Sequence, residues 1–106
     1  MKYEIGRESF KQRLEDRMNF IFVSLQEEDK SPAKYKDVVY LNFGPSFKND
    51  FSEKYPDKNQ NVILYSLLKG DNSPSEAADY LADAGYHFVY FYRGTADDIV
   101  LDKGLN

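Results

Sequence analysis

Four short, mostly apolar runs recur along the chain, at residues 19–24, 37–42, 61–66 and 87–92. Each run is rich in β-branched or aromatic side chains, and none alternates regularly between apolar and polar positions. Strands that are buried on both faces, as in a parallel sheet, have this pattern. We therefore predict four core strands, with residues 3–5 as a further short strand at the sheet edge.

Two amphipathic segments between these runs predict helices. Ser9 is placed to cap the first helix, and Phe10, Leu14 and Met18 share one of its faces. The second helix carries an aromatic residue at every fourth position and ends before Pro56. These aromatic residues are Phe47, Phe51 and Tyr55.

A third helix has the clearest start and stop signals. Ser73 can cap it, Pro74 suits its first turn, and Glu76 would complete a capping box. Small residues that can lie close to a sheet follow on one face, and Gly85 supplies a left-handed stop. We predict a last helix at residues 95–102.

Strands that alternate with helices predict an α/β domain of three layers, in which a mainly parallel sheet of four or five strands is flanked by helices. The length fits a single domain over residues 1–106. The apolar runs are too short to span a bilayer, and the first residues contain no apolar signal region. We therefore expect a cytoplasmic protein that does not contact a membrane.

Composition excludes several kinds of chemistry. Lys and Arg total 14 against 18 Asp and Glu, a net charge of -4, and no basic run is available to bind nucleic acid. The sequence has no cysteine, so disulfides, thiolate metal sites and thiolate nucleophiles are excluded. Only one histidine is present, which excludes a histidine-rich metal site. We expect neither a metal nor a cofactor.

Residues 61–94 resemble the C-terminal half of a rhodanese domain. That family has a buried strand, a catalytic Cys at its end, a short loop, a helix that ends in Ala-Gly-Tyr, and a strand that closes on Gly. This chain has Ser66 at the Cys position, Ala-Gly-Tyr ending at Tyr86, and Gly94 after the last strand. The first half matches more loosely. The resemblance implies a rhodanese-like fold over nearly the whole chain.

The sequence also departs from the active members of that family. Ser24 and Leu25 replace the family's Asp-Arg pair, the His-Ile-Pro-Gly turn is absent, and the loop after Ser66 is longer and lacks its final arginine. A serine cannot form the persulfide that sulfur transfer requires. We therefore expect a catalytically inactive binding or regulatory module, not a sulfurtransferase.

Ser66 is not expected to act as a nucleophile either. A serine hydroxyl needs a base beside it, and the single histidine, His87, begins the next strand, whereas Ser66 ends its own. In a parallel sheet these ends lie at opposite edges, roughly 15 Å apart at ~3.3 Å per residue. No Gly-x-Ser-x-Gly elbow surrounds Ser66. We predict no catalytic residue.

The loop at residues 66–73 is the candidate binding site, because it joins the carboxyl end of a strand to the N-terminus of a helix. Free N–H groups and the helix dipole can hold an anion at such a place. Lys69 and Gly70 favour a small anion, whereas Asp71 opposes one by repulsion. The candidate residues are Ser66, Leu67, Leu68, Lys69, Gly70, Asp71, Asn72 and Ser73.

Alternative interpretations of this loop stay open. Leu67 and Leu68 either fill the core or form a small patch that docks a protein partner. The loop can also belong to an enzyme that acts on a small phosphate or sulfate ester, with Asp71 as its only titratable acid. A third possibility is a structural subunit of a larger assembly. The sequence does not predict an oligomeric state.

Overall fold

The computed structural model describes residues 2–15, 20–25, 38–66 and 72–92. Within these ranges the chain forms five strands and three helices. The strands are β1 (Lys2–Ile5), β2 (Phe20–Ser24), β3 (Val39–Tyr40), β4 (Asn61–Tyr65) and β5 (Phe88–Tyr92). The helices are α1 (Arg7–Glu15), α2 (Phe47–Lys54) and α3 (Ser73–Asp83). The helix predicted at residues 95–102 lies outside the described residues.

All five strands are parallel, and they lie in the order β1-β5-β4-β2-β3. The central strand β4 pairs with β2 on one side and β5 on the other, with Asn61 opposite both Phe20 and Phe88. Parallel neighbours need crossover connections, and α3 supplies the one between β4 and β5. The order confirms the predicted parallel sheet, with β1 as an edge strand.

Helices cover both faces of this sheet, because successive side chains of a strand point to opposite sides. On one face, α1 packs against alternate residues of the inner strands, and on the other face α2 and α3 do so. The first cluster comprises Phe10, Phe22, Ile63, Tyr65 and Tyr92. The second comprises Val23, Leu25, Phe47, Phe51, Val62, Leu64, Ala77, Ala78, Leu81, Tyr86, Val89 and Phe91. This is the predicted three-layer α/β arrangement.

Helix α1 begins three residues before the position that the sequence predicted. The Gly6 carbonyl accepts the hydrogen bond from the Phe10 N–H (2.9 Å), so Arg7 is already helical. Ser9 therefore lies inside the first turn, where its hydroxyl accepts a hydrogen bond from the Arg13 guanidinium. The prediction that Ser9 caps this helix was wrong, because the residue before the first helical residue is Gly6.

The predicted capping box of α3 was wrong as well. The cap residue is Asn72, and Ser73 is already the first residue of the helix. The Asn72 side chain makes no capping hydrogen bond, and the Asn72 carbonyl accepts the Glu76 N–H at 3.2 Å. Pro74 lies in the first turn as predicted, where its missing N–H leaves no hydrogen bond unmade.

The far end of α3 follows the prediction closely. Gly85 has a φ of +100°, the left-handed conformation that stops the helix. The chain then turns Tyr86 into the core, where its hydroxyl donates a hydrogen bond to the Tyr55 carbonyl at the end of α2. Burial raises the pKa of the Tyr55 hydroxyl above its ordinary value. This contact ties the ends of two helices to each other.

The strand predicted at residues 37–42 is shorter in the structure. Only Val39 and Tyr40 pair with β2, opposite Val23 and Ser24, and residue 37 lies outside the described residues. The chain leaves the sheet after Leu41, whose N–H donates to the Ser24 carbonyl at 3.0 Å. An edge strand has a partner on one side only, which allows the pairing to end early. None of the described helices is long and apolar enough to cross a membrane.

Candidate functional site

Two buried serines lie at the carboxyl edge of the sheet. Ser24 ends β2 and Ser66 directly follows β4, and their side chains are 0% and 1% exposed. The two strand ends are held by pairing of Ser24 with Tyr65, and by the Leu25 N–H, which donates to the Tyr65 carbonyl at 3.1 Å. In open α/β sheets, ligands bind at this edge. Here both serines are closed to solvent.

Helix α3 begins at the same edge, after the loop that follows Ser66. Asn72 is exposed, Ser73 is half-buried and Pro74 is buried. Of the eight candidate residues in the loop, the structure therefore places Ser66 at the strand end and Asn72 and Ser73 at the helix start. Residues 67–71 lie outside the described residues, so their role in binding stays a prediction.

Ser66 and His87 lie at opposite ends of the paired strands β4 and β5. Asn61 is opposite Phe88, so the first residues of both strands are level, and His87 comes just before that level. The His87 N–H donates to the Lys58 carbonyl at 3.0 Å, and its side chain is exposed. Ser66 follows the last residue of β4. The structure thus confirms that these two residues form no nucleophile–base pair.

No group of three His, Cys, Asp or Glu residues within the described ranges is arranged to hold a metal ion. Among the described residues, the carboxyl edge contributes the hydroxyls of Ser24 and Ser66 and the backbone at the start of α3. Such groups bind and orient a ligand, whereas nucleophilic attack by a hydroxyl requires a base beside it.

A surface groove lies between α3 and the segment that precedes α2, and the sequence did not reveal it. It has a volume of about 350 Å³ and adjoins a smaller depression of about 180 Å³. The groove is lined by Phe43, Glu76, Asp79, Tyr80 and Asp83. The depression shares the rings of Phe43 and Tyr80 and extends to Pro45 and Lys48. The helical spacing of the four α3 residues was visible in the sequence, but the approach of Phe43 was not.

The parallel order, the three layers and the buried carboxyl edge define an α/β protein of the open-sheet class. No protein-family model matches the sequence. No curated protein matches it as a relative either. Solved structures, in contrast, match most of the chain.

The Alr3790 protein from Anabaena matches with a TM-score of 0.71 at 17% identity, over 96% of this chain and 88% of that one. The Saccharomyces cerevisiae single-domain sulfurtransferase RDL2 matches with a TM-score of 0.69 at 15% identity, over 98% and 92%. Ygr203w, a yeast protein tyrosine phosphatase of the rhodanese family, matches with a TM-score of 0.62 at 15% identity, over 92% and 82%. At this identity the likeness shows the fold. This chain has the rhodanese-like fold, and it contains no cysteine.

Proposed function

We propose that this chain is a catalytically inactive, rhodanese-like binding or regulatory module and not a sulfurtransferase. The observation that carries the proposal is Ser66. The resemblance puts this residue where the family has its catalytic cysteine, and its side chain is 1% exposed at the end of the central strand. A buried hydroxyl neither forms a persulfide nor meets a sulfur donor. The scaffold persists here while the sulfur chemistry is gone.

The loop at residues 66–73 is the place where we propose that the module binds its ligand. It connects the carboxyl end of β4 to the N-terminus of α3, whose dipole favours negative charge. Lys69 adds a positive charge within the loop. A small anion or an acidic group of a protein partner is the ligand that this combination favours. The net charge of -4 supports a partner other than nucleic acid or an anionic membrane.

Thermal unfolding with phosphate, sulfate or thiosulfate tests this site. An anion at a hundred times its dissociation constant should add about 2.7 kcal/mol to the free energy of unfolding. For a domain of this size the midpoint then rises by roughly 10 °C. Lys69→Ala should abolish the rise, whereas the control Lys48→Ala, on the exposed side of α2, should keep it.

Either of two results would contradict the proposal. Transfer of sulfur from thiosulfate by the purified protein would show that the module is an enzyme after all. A rise in the midpoint that is equal in both lysine variants would place the anion elsewhere. No rise with any of the three anions would remove small anions as ligands and leave the protein partner.

The second candidate function is an enzyme that cleaves a small phosphate or sulfate ester. It is favoured by the shared fold with the yeast phosphatase Ygr203w. In this chain Asp71 would have to supply the base, since it is the only titratable acid of the loop. Hydrolysis of p-nitrophenyl phosphate that is lost in Asp71→Asn would support the enzyme. The same variant should leave anion binding by a module intact or strengthen it.

A further inference from the structure

An exposed aromatic ring is held in place beside α3. Tyr80 is 53% exposed, more than any other large hydrophobic residue in the described ranges. Its ring lies 5.8 Å from that of Phe43, which in turn meets the buried Phe47 edge-on at 5.4 Å. A single exposed aromatic residue is ordinary, but this one extends a row of rings that starts in the core. The Tyr80 ring therefore packs against Phe43 and still presents an aromatic surface to solvent.

Carboxylates flank that ring along one side of α3. Glu76 and Asp83 lie about one helical turn on either side of Tyr80. Asp79, which shares this side, is neutralised by Lys2, whose Nζ lies 2.6 Å from its carboxylate. Glu76 and Asp83 have no ion-pair partner among the residues that the structure describes. Among the described residues, the negative charge of Glu76 and Asp83 is thus unbalanced and lies beside the aromatic surface.

We propose that this acidic–aromatic groove, formed by Phe43, Glu76, Tyr80 and Asp83, binds an arginine- or lysine-bearing segment of a partner protein. A cation over an aromatic ring is attracted by the electrons of the ring face. A guanidinium can stack on the face of the ring and at the same time donate hydrogen bonds to a carboxylate. The groove offers both kinds of partner within one volume of about 350 Å³.

The depression next to the groove offers a place for an apolar side chain of the same partner segment. Phe43 and Tyr80 line both volumes, and Phe47 and Pro45 add apolar surface on the far side. A partner segment that places an apolar side chain next to its basic one would fill both. Interface cores commonly combine an aromatic anchor with arginine in this way.

Charge decides between this occupant and others. An acidic segment or a nucleic acid would meet two unpaired carboxylates at the ring. A metal ion would need a cluster of ligands, and the described residues contain none. None of the four residues of the groove belongs to the loop at residues 66–73, so the inference does not depend on anion binding there.

The test is a titration of the ¹⁵N-labelled protein with the acetylated and amidated peptide Gly-Arg-Leu-Arg-Gly, followed by amide chemical shifts. We expect shifts at Phe43, Tyr80 and Asp83 that saturate at millimolar peptide. Tyr80→Ala should weaken binding about fivefold, the size of one surface cation–π contact. The double variant Glu76→Gln/Asp83→Asn should weaken binding and remove most of its salt dependence. All these side chains are exposed or at the surface, so the folding of the variants is expected to be unchanged.

Three controls accompany the titration. Lys54→Ala removes an exposed charge from the last turn of α2, outside both the groove and the depression, and should bind the peptide as tightly as the parent. The matched peptide Gly-Glu-Leu-Glu-Gly should give no shifts in the groove. Lys69→Ala, in contrast, should alter anion binding alone, which keeps a failure of the loop proposal separate from a failure of this one.

Several results would overturn the inference. Equal shifts with both peptides, unchanged affinity in Tyr80→Ala, or no shift at millimolar peptide would each show that the groove does not recognise a basic segment. Shifts of groove amides that depend on protein concentration alone would identify a second copy of the chain as the occupant. That outcome would also contradict the proposed heterologous partner.

Discussion

Replacing Phe10 with alanine is expected to lower the free energy of unfolding by about 3–5 kcal/mol. The Phe10 side chain is fully buried and packs α1 against the sheet. Its ring stacks on Tyr92 with centroids 4.7 Å apart, and it meets Phe22 at 6.0 Å and Tyr65 at 5.3 Å. The three rings belong to β5, β2 and β4, so one truncation opens a cavity against three strands. In a domain of this size the midpoint should fall by roughly 12–20 °C.

The matched control for this prediction is Phe88→Ala. Phe88 starts β5 and is 40% exposed, so the same truncation removes far less buried surface there. We expect a loss of about 1 kcal/mol or less. Urea unfolding followed by circular dichroism measures both variants. Losses of equal size would contradict the docking of α1 that the structure shows.

The second large effect is expected at Gly85. Its φ of +100° is a conformation that residues with a Cβ rarely adopt, so Gly85→Ala should cost about 1–2 kcal/mol. A Cβ at this position would meet nothing within 4 Å, and the loss is therefore one of backbone strain rather than of crowding. The glycine is required because the chain must reverse at once to place Tyr86 in the core.

Gly6→Ala supplies the control, because a Cβ there also meets nothing within 4 Å and no left-handed φ is involved. Its free energy of unfolding should fall by less than about 1 kcal/mol, because alanine is a poorer residue than glycine directly before a helix. Equal losses in Gly6→Ala and Gly85→Ala would contradict the assignment of the Gly85 effect to its backbone. Thermal unfolding of both variants under the same conditions decides the question.

The sheet could be predicted because its strands are uninterrupted apolar runs. A strand such as β4, buried on both faces, leaves little freedom in the choice of residues, and its ends fall where the run ends. Gly85 was predictable for a similar reason, since few residues other than glycine accept a left-handed conformation. The place of Ser66 followed directly, because it is the first residue after that strand.

Helix starts were less predictable, and the reason is local. Asn72 and Ser73 are both good capping residues, and Pro74 is accepted at either of the first two helical positions. The sequence therefore allowed two starts one residue apart, and backbone geometry selected the earlier cap. At α1 the helix begins after Gly6, and the lack of a side chain there makes this residue a weaker start signal than Ser9.

The groove could not be predicted because it depends on a tertiary contact. The side of α3 that carries Glu76, Tyr80 and Asp83 is polar enough to pass for a solvated helix face. Only the approach of Phe43 from the segment before α2 turns that face into a cavity. No local pattern encodes which loop residue meets which helix.

The most direct test of the central claim is the reactivity of a cysteine placed at position 66. In Ser66→Cys the new thiol takes a side-chain position that is 1% exposed, whereas Ser46→Cys puts the same group on an exposed turn. The account predicts that the thiol at position 66 reacts with an aromatic disulfide reagent more than tenfold more slowly, because labelling must wait for local opening. It also predicts that the variant transfers no sulfur from thiosulfate to cyanide. Labelling of both thiols at equal rates, together with sulfur transfer by Ser66→Cys, would contradict the account. The rest of an active sulfurtransferase site would then be present, and the missing thiol alone would explain the inactivity.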